Sequence, residues 1–160
     1  MDTIKELFNV FPQPGKVDWI GIRPQRKKAV EVVTSVEADE KKGLVGDHYS
    51  GQSGNRHVTL IQAEHLPAVA SLTGRDEVDP SLVRRNIVIS GLNLLALKDL
   101  KLQIGDVILQ ITGQCHPCSQ METALGPGGY NAMRGHGGMT AKVLQGGTIN
   151  VGDTVTVLTS

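Results

Sequence analysis

The chain has 160 residues, 39% of them hydrophobic and 20% charged, enough for one ordinary domain with a buried core. Lysine plus arginine equals aspartate plus glutamate at 16 each, and aromatics make up only 3%, which argues against a general nucleic-acid binder and against base-stacking platforms. No apolar run approaches the roughly 20 residues of a membrane-spanning helix, and the opening MDTIKELFNV, with its early acids, lacks the apolar centre of a signal peptide. The expectation is a cytoplasmic protein with free thiols and no membrane association.

In chain order, residues 2–9 (DTIKELFN) predict a short helix with Asp2 as its N-cap. Residues 19–24 (WIGIRP) and 29–38 (AVEVVTSVEA), rich in β-branched side chains, predict strands. A polar, glycine-rich loop covers 41–55. Residues 56–61 (RHVTLI) read as a strand and 62–72 (QAEHLPAVASL) as a helix blemished by Pro67. Asp79-Pro80 is a helix-start signature, and 86–94 (NIVISGLNL) is a strand and a turn. LQIGDVILQI (102–111) and INVGDTVTVL (149–158) each place Gly-Asp where a turn would join two strands. The 19 glycines also favour tight turns over helical bundles. These features predict a single domain over 1–160, mostly β, with a closed or nearly closed barrel built from 19–24, 29–38, 56–61, 86–91, 106–112 and 153–158.

The only two cysteines stand two residues apart in GQCHPCS (113–119). Cys115 and Cys118 suit a redox dithiol, half of a zinc site, a thiolate ligand for a softer metal, or plain burial as small apolar residues. Too little chain follows to complete a thioredoxin-like fold, and zinc would need His116, His136 or aspartates as further ligands. Among the basic residues, Arg26 follows Pro24, Arg56 opens a strand after the long loop, and Arg84 and Arg85 precede a strand with Asn86 beside them. Arginines at strand mouths grip phosphates and carboxylates, although isolated surface charges are the commoner case. His48 and His136 lie in glycine-rich loops, where site residues concentrate. The stretch 126–139 (GPGGYNAMRGHGGM) predicts either a plain connection or a mobile loop at a pocket mouth, where Arg134 or His136 meets a ligand.

Taken in order, GLVGDHYSG, RHVTLIQAEHL, LVRRNIVISGLNLLAL, LQIGDVILQITGQCHPC and GHGGMTAKVLQGGTINVGD resemble the MOSC domain, over about 19–157. This is the C-terminal domain type of molybdenum-cofactor sulfurases, found also in small stand-alone bacterial proteins and in mitochondrial amidoxime-reducing components. The resemblance implies a mostly β, barrel-containing fold and a molybdenum cofactor, a molybdopterin carrying molybdenum. By position, Cys118 resembles the molybdenum ligand of the amidoxime-reducing members, whereas Cys115 need not be a ligand. Arg84 and Asn86 match a cofactor-binding segment in which an arginine and an asparagine flank one variable residue. Arg56 matches another basic contact, and Arg26 a further one. The implied activity is reduction of N-hydroxylated compounds, such as amidoximes or hydroxylamino bases, with electrons from a partner redox protein. A persulfide-bearing sulfur carrier using Cys118, or a thiol oxidoreductase using both cysteines, are the alternatives.

Overall fold

Strand β1 (Gly15–Ile22) has more pairing partners than any other strand, and its length explains why. Its start pairs with the last strand, its middle with a central strand, and its end with a short hairpin arm. The computed structural model describes residues 3–48 and 53–159. After β1 come β2 (Glu31–Val33), β3 (Ser35–Asp39), β4 (Gly43–Leu44), β5 (Val58–Gln62) and β6 (Ile87–Ser90). They are followed by β7 (Lys101–Ile104), β8 (Val107–Gln114), β9 (Met139–Gln145), β10 (Gly147–Asn150) and β11 (Thr154–Leu158).

The strand order β11-β7-β8-β9-β5-β6-β1, closed by pairing of β1 with β11, makes a seven-stranded barrel. The predicted closed, mostly β architecture is therefore present. Closure removes the free edges that an open sheet would expose. A bulge between Val17 and Trp19 bends β1 so that one strand can serve both the ring and the β2 arm. Strands β3, β4 and β10 form a separate small sheet.

All ring pairings are antiparallel except β5 with β6. A parallel neighbour requires a crossover, and here it contains helix α2 (His65–Leu72) and a 3-10 turn at Pro80–Val83. Both faces of β5 are thereby covered, which is why VTLIQ is buried throughout rather than alternating. Val58 and Leu60 point into the barrel, where they pack with Ile20, Ile87, Leu102 and Leu109. Ile61 points outward and joins Val69, Val83, Val88, Met121 and Met133 in a second cluster under the helices. The largest fully buried side chains are all isoleucine or leucine, each contributing about 1.5–3 kcal/mol by burial. Because aliphatic side chains fill the barrel, the residues available for chemistry lie at its rim.

Several expectations need correction. The first helix, α1, spans Ile4–Leu7, and Thr3 caps it through a reciprocal bond pair with Glu6; Asp2 lies outside the described residues. The run 29–38 is two strands, because β2 pairs with β1 in the barrel while β3 pairs with β10 in the other sheet. The segment read as loop contains β4, and its residues 49–52 lie outside the described residues. Gln62 still belongs to β5, so α2 starts at His65 and Pro67 falls in its first turn, where no backbone partner is lost. Among the described residues, no helix is long and apolar enough to cross a membrane.

His57, 2% exposed, sits just before β5 and its Nδ1 accepts a hydrogen bond from the Val143 N–H at 3.2 Å. Accepting there requires the neutral ring, and burial lowers the His57 pKa below the ordinary histidine value. Folding thus favours the unprotonated form, so this contribution to stability is fully present above about pH 6.5 and is lost as pH falls through the folded pKa. Urea unfolding at pH 7.5 and 5.5 is expected to show a lower midpoint at the acid value, and His57→Gln is expected to flatten that dependence.

Candidate functional site

Four chain segments converge on one rim of the barrel. They are the turn after β1, the turn before β5, the turn before β6, and the segment leaving β8. Together they enclose a pocket of about 320 Å³. The first supplies Arg23, Arg26 and Lys27, the second Arg56, the third Arg84 and Arg85, and the last Cys115, His116 and Cys118. His48 and Thr59 also line it. None of the described lining residues is acidic. The structure thus brings together four of the five residues that the resemblance matched to a cofactor site, Arg26, Arg56, Arg84 and Cys118, and places His48, Arg85 and Cys115 beside them.

Asn86 is the exception. It was expected to face the ligand, but its side chain is fully buried behind the pocket wall. Its Oδ1 accepts from the Thr59 N–H at 3.0 Å, the Thr59 hydroxyl at 3.1 Å and Arg23 Nη2 at 3.3 Å. Its Nδ2 donates to the Gly21 carbonyl at 3.1 Å and to Asp47 Oδ1 at 3.2 Å. The cause is strand alternation: Ile87 points into the barrel, so Asn86 points out, against Thr59 on the parallel neighbour. Asn86 positions the pocket and does not line it.

Arg23 and Asp47, which sequence reading did not single out, complete this support. Arg23 Nη2 lies 2.9 Å from Asp47 Oδ2, and the Asp47 side chain is 0% exposed. Asp47 Oδ1 also accepts from Arg23 Nε at 3.1 Å and from the Arg23 backbone N–H at 2.7 Å. A buried carboxylate is tolerated only when its lone pairs are met in this way. Arg23 Nη1 reaches the Arg84 carbonyl at 3.3 Å, which ties the first turn to the third. The only hint in the sequence was an arginine ending a strand and an aspartate in a glycine-rich loop.

Arg85 occupies the position read as variable, yet it is the most deeply set cation of the pocket at 6% exposure. Nε donates to the Gly137 carbonyl at 2.7 Å and Nη1 to the Val83 carbonyl at 2.9 Å. Nη2 is buried and has no partner among the described residues. Burial, with the Arg23 and Arg56 guanidiniums adding to it, lowers its pKa from the ordinary arginine value. A buried unpartnered donor costs about 1–3 kcal/mol, more when charged, so this arrangement favours a bound anion. Arg84 is partly buried, and burial with Arg23 alongside lowers its pKa as well.

The two cysteines are placed differently. Cys115 is 4% exposed, and its N–H continues the β8–β9 ladder to the Gly138 carbonyl at 2.8 Å. Cys118 is exposed and stands at the N-cap position of α3 (Ser119–Leu125), where its side chain makes no capping bond. Both are free thiols. Among the described residues, no three His, Cys, Asp or Glu side chains group as a metal site, so the half-zinc reading gains no support.

The stretch 126–139 is not the open loop expected. It contains α4 (Gly129–Met133), and Glu122 accepts from the Gly128 and Tyr130 N–H groups at 2.9 and 3.0 Å. Gly137 and Gly138 are needed for close approach. A Cβ on Gly137 would lie 2.2 Å from the Cys115 carbonyl oxygen, and one on Gly138 would lie 1.8 Å from that of Leu60. His136 turns to the Ala132 carbonyl at 3.0 Å and stacks edge-on against His65, with ring centroids 5.0 Å apart. Arg134, by contrast, lines a neighbouring cavity of about 800 Å³ with Tyr130 and Asn131. His116 lies between that cavity and the cationic pocket.

Asn86→Ala strips bonds from Thr59, Arg23 and Asp47 at once, and both the Asn86 residue and the Asp47 carboxylate are fully buried. The expected cost is about 2–4 kcal/mol, read as a lowered urea midpoint. Arg56→Ala, at an exposed position, is expected to change stability by less than about 0.5 kcal/mol.

Comparison with known proteins agrees with this architecture. No curated protein matches the sequence. Among solved structures, the YuaD protein from Bacillus subtilis superposes with a TM-score of 0.79 at 16% identity, covering 91% of this chain and 96% of that one. YiiM from Geobacillus stearothermophilus superposes with a TM-score of 0.75 at 17% identity, covering 91% of this chain and 76% of that one. YiiM from Escherichia coli gives 0.72 at 17% identity, covering 93% and 71%. At such identities the likeness concerns the fold alone. The MOSC domain profile matches residues 33–156, which is most of the described barrel, and the chain belongs to the MOSC domain family.

Proposed function

We propose that this protein binds a molybdenum cofactor through the cationic pocket and reduces N-hydroxylated compounds with electrons from a partner redox protein. The observation that carries the reading is the composition of the pocket: an exposed thiol, Cys118, shares it with Arg26, Arg56 and Arg84 and with the buried Nη2 of Arg85, unpartnered among the described residues. This donor set fits an anionic, phosphate-bearing pterin that carries a thiophilic metal. When bound, the group would supply the two-electron redox chemistry.

The chain's own contribution is binding and orientation. Cys118 would hold the metal, a soft sulfur ligand suited to a centre already bound by sulfur. Arg26, Arg56 and Arg84 would take the phosphate, since guanidinium forks match its oxygens. Arg85, clamped by two carbonyls, cannot swing away and would meet a fixed acceptor. Asn86 and Asp47 keep Arg23 and the pocket wall in register, so the donors are set before the ligand arrives. The cavity beside His116, lined by Arg134, Asn131 and Tyr130, is the natural place for a substrate to approach.

The exposure of Cys118 also suits a second reading, a sulfur carrier bearing a persulfide there. Elemental analysis of protein made in a molybdenum-replete host with intact cofactor synthesis separates the two. Stoichiometric molybdenum and reductase activity are expected in the parent protein, loss of both in Cys118→Ser, and retention of much of both in Cys115→Ser. Equal loss in both variants would point to a dithiol mechanism. Sulfur transfer by a metal-free preparation, with no reductase activity on metal loading, would establish the carrier instead.

A further inference from the structure

The cavity of about 800 Å³ beside His116 differs in chemistry from the cationic pocket. Its lining combines one aromatic ring, Tyr130, two side-chain amides, Gln114 and Asn131, and one guanidinium, Arg134. None of the described lining residues is acidic, and Arg134 has no ion pair among the described residues. The volume falls within the roughly 300–1,000 Å³ typical of small-molecule sites. His116 lines this cavity and the Cys118 pocket alike, so a molecule here has one end next to the thiol pocket.

The aromatic and cationic groups stand on a fixed platform. Tyr130 lies in α4 and Arg134 at the C-cap of that helix. Four residues apart, they emerge on one face. Another face, with Ala132 and Met133, is buried, and Met133 packs in the outer apolar cluster. At the helix start, the Gly128 and Tyr130 N–H groups donate to Glu122 of α3. Gly129 lies so close to α3 that a Cβ there would be 2.5 Å from the Leu125 Cβ and 2.7 Å from the Met121 carbonyl oxygen. Helix α4 therefore cannot roll without breaking these contacts. On this pinned helix the Tyr130 ring is nevertheless 42% exposed. A ring held in place and facing water loses little freedom when a flat molecule covers it.

We infer that this cavity selects aromatic substrates that carry a carboxylate, with the ring against Tyr130 and the carboxylate on Arg134. A guanidinium fork matches a carboxylate in bidentate fashion, and one cation balances one negative charge. A phosphate group, more highly charged, is better matched by the several cations of the neighbouring pocket. The Gln114 and Asn131 amides both donate and accept, which suits the polar edge of an N-hydroxylated amidine. The reacting group then belongs at the His116 end. The inference deepens the proposed reductase function and rests on it for the reacting group alone; the carboxylate preference requires no metal.

The test is calorimetric titration of the full-length, metal-free protein at neutral pH with benzamidoxime and with para-carboxybenzamidoxime, which differ only in the carboxylate. The carboxylated ligand is expected to bind about tenfold more tightly. Arg134 and Tyr130 are both exposed, so substitutions there are expected to fold. In Arg134→Gln the ratio of the two affinities is expected to fall to within about twofold of unity. In Tyr130→Leu both ligands are expected to weaken by about three- to tenfold, with their ratio kept. Equal affinities in the parent protein, or no binding of either ligand, would overturn the inference. So would equal weakening of both ligands in Arg134→Gln, which would give Arg134 a structural role only. A preference that survives Arg134→Gln would move the carboxylate to the cationic pocket and overturn it as well. The carboxylate preference without any molybdenum-dependent turnover would remove the reductase reading and leave this one standing.

Discussion

Everything at the rim depends on a carboxylate that water does not touch. Asp47, in the segment following β4, is held by the Arg23 guanidinium, the Arg23 backbone and the Asn86 amide. Burying one negative charge requires its compensation, and compensation here joins the ends of two barrel strands to a loop. Arg23 in turn holds the Arg84 carbonyl, and Asn86 holds Thr59 on β5. Four segments distant in sequence are thereby fixed relative to one another by polar bonds, while the aliphatic barrel beneath supplies the cohesion. The pocket cations repel one another, and it is this neutral, satisfied network that keeps them on one wall.

The division of labour follows from strand geometry. Side chains of β5 and β6 alternate between barrel and helical layer, so one face of each strand fills the barrel, while the other packs under the helices through Ile61 and Val88 and supports the site at the rim through Thr59 and Asn86. The parallel pairing of these strands matters in the same way. It places the N-terminal ends of both at the same rim, which is why Arg56 and the Arg84–Arg85 pair arrive together. An antiparallel pair would have put them at opposite ends of the barrel.

Much of this was legible in the residues and some was not. Strands β5, β6, β8 and β11 announce themselves as apolar or β-branched runs bounded by turn residues, and the closed barrel follows from their number and spacing. Strand β9 was hidden because MTAKVLQ is buried on both faces over its first half and lacks alternation. The stretch 126–139 was misread because glycine was taken as a sign of freedom; Gly137 and Gly138 are there because backbone atoms pass too close for any side chain. Asn86 was found from sequence for its position in a pattern, yet the direction in which its side chain points depends on strand parity that a pattern does not carry. Arg23 and Asp47 left only the hint of a strand-end arginine and a loop aspartate, because an ion pair across 24 residues has no local periodicity.

The pairing of β1 with β11 has a consequence for how the molecule comes into being. These strands touch at Gly15 with Val155 and Lys16 with Thr154, a contact that spans almost the whole chain. During synthesis the earlier strands emerge with no ring to close, and the free side of β1 waits for a partner made far later. Closing a loop of this length is entropically costly and slow, and the waiting rim is a template for pairing with other chains. The bulge and the exposed Lys16 beside this rim are features that discourage such pairing. The nascent protein therefore has its greatest need of chaperone shelter late in translation, just before residues 154–158 leave the ribosome.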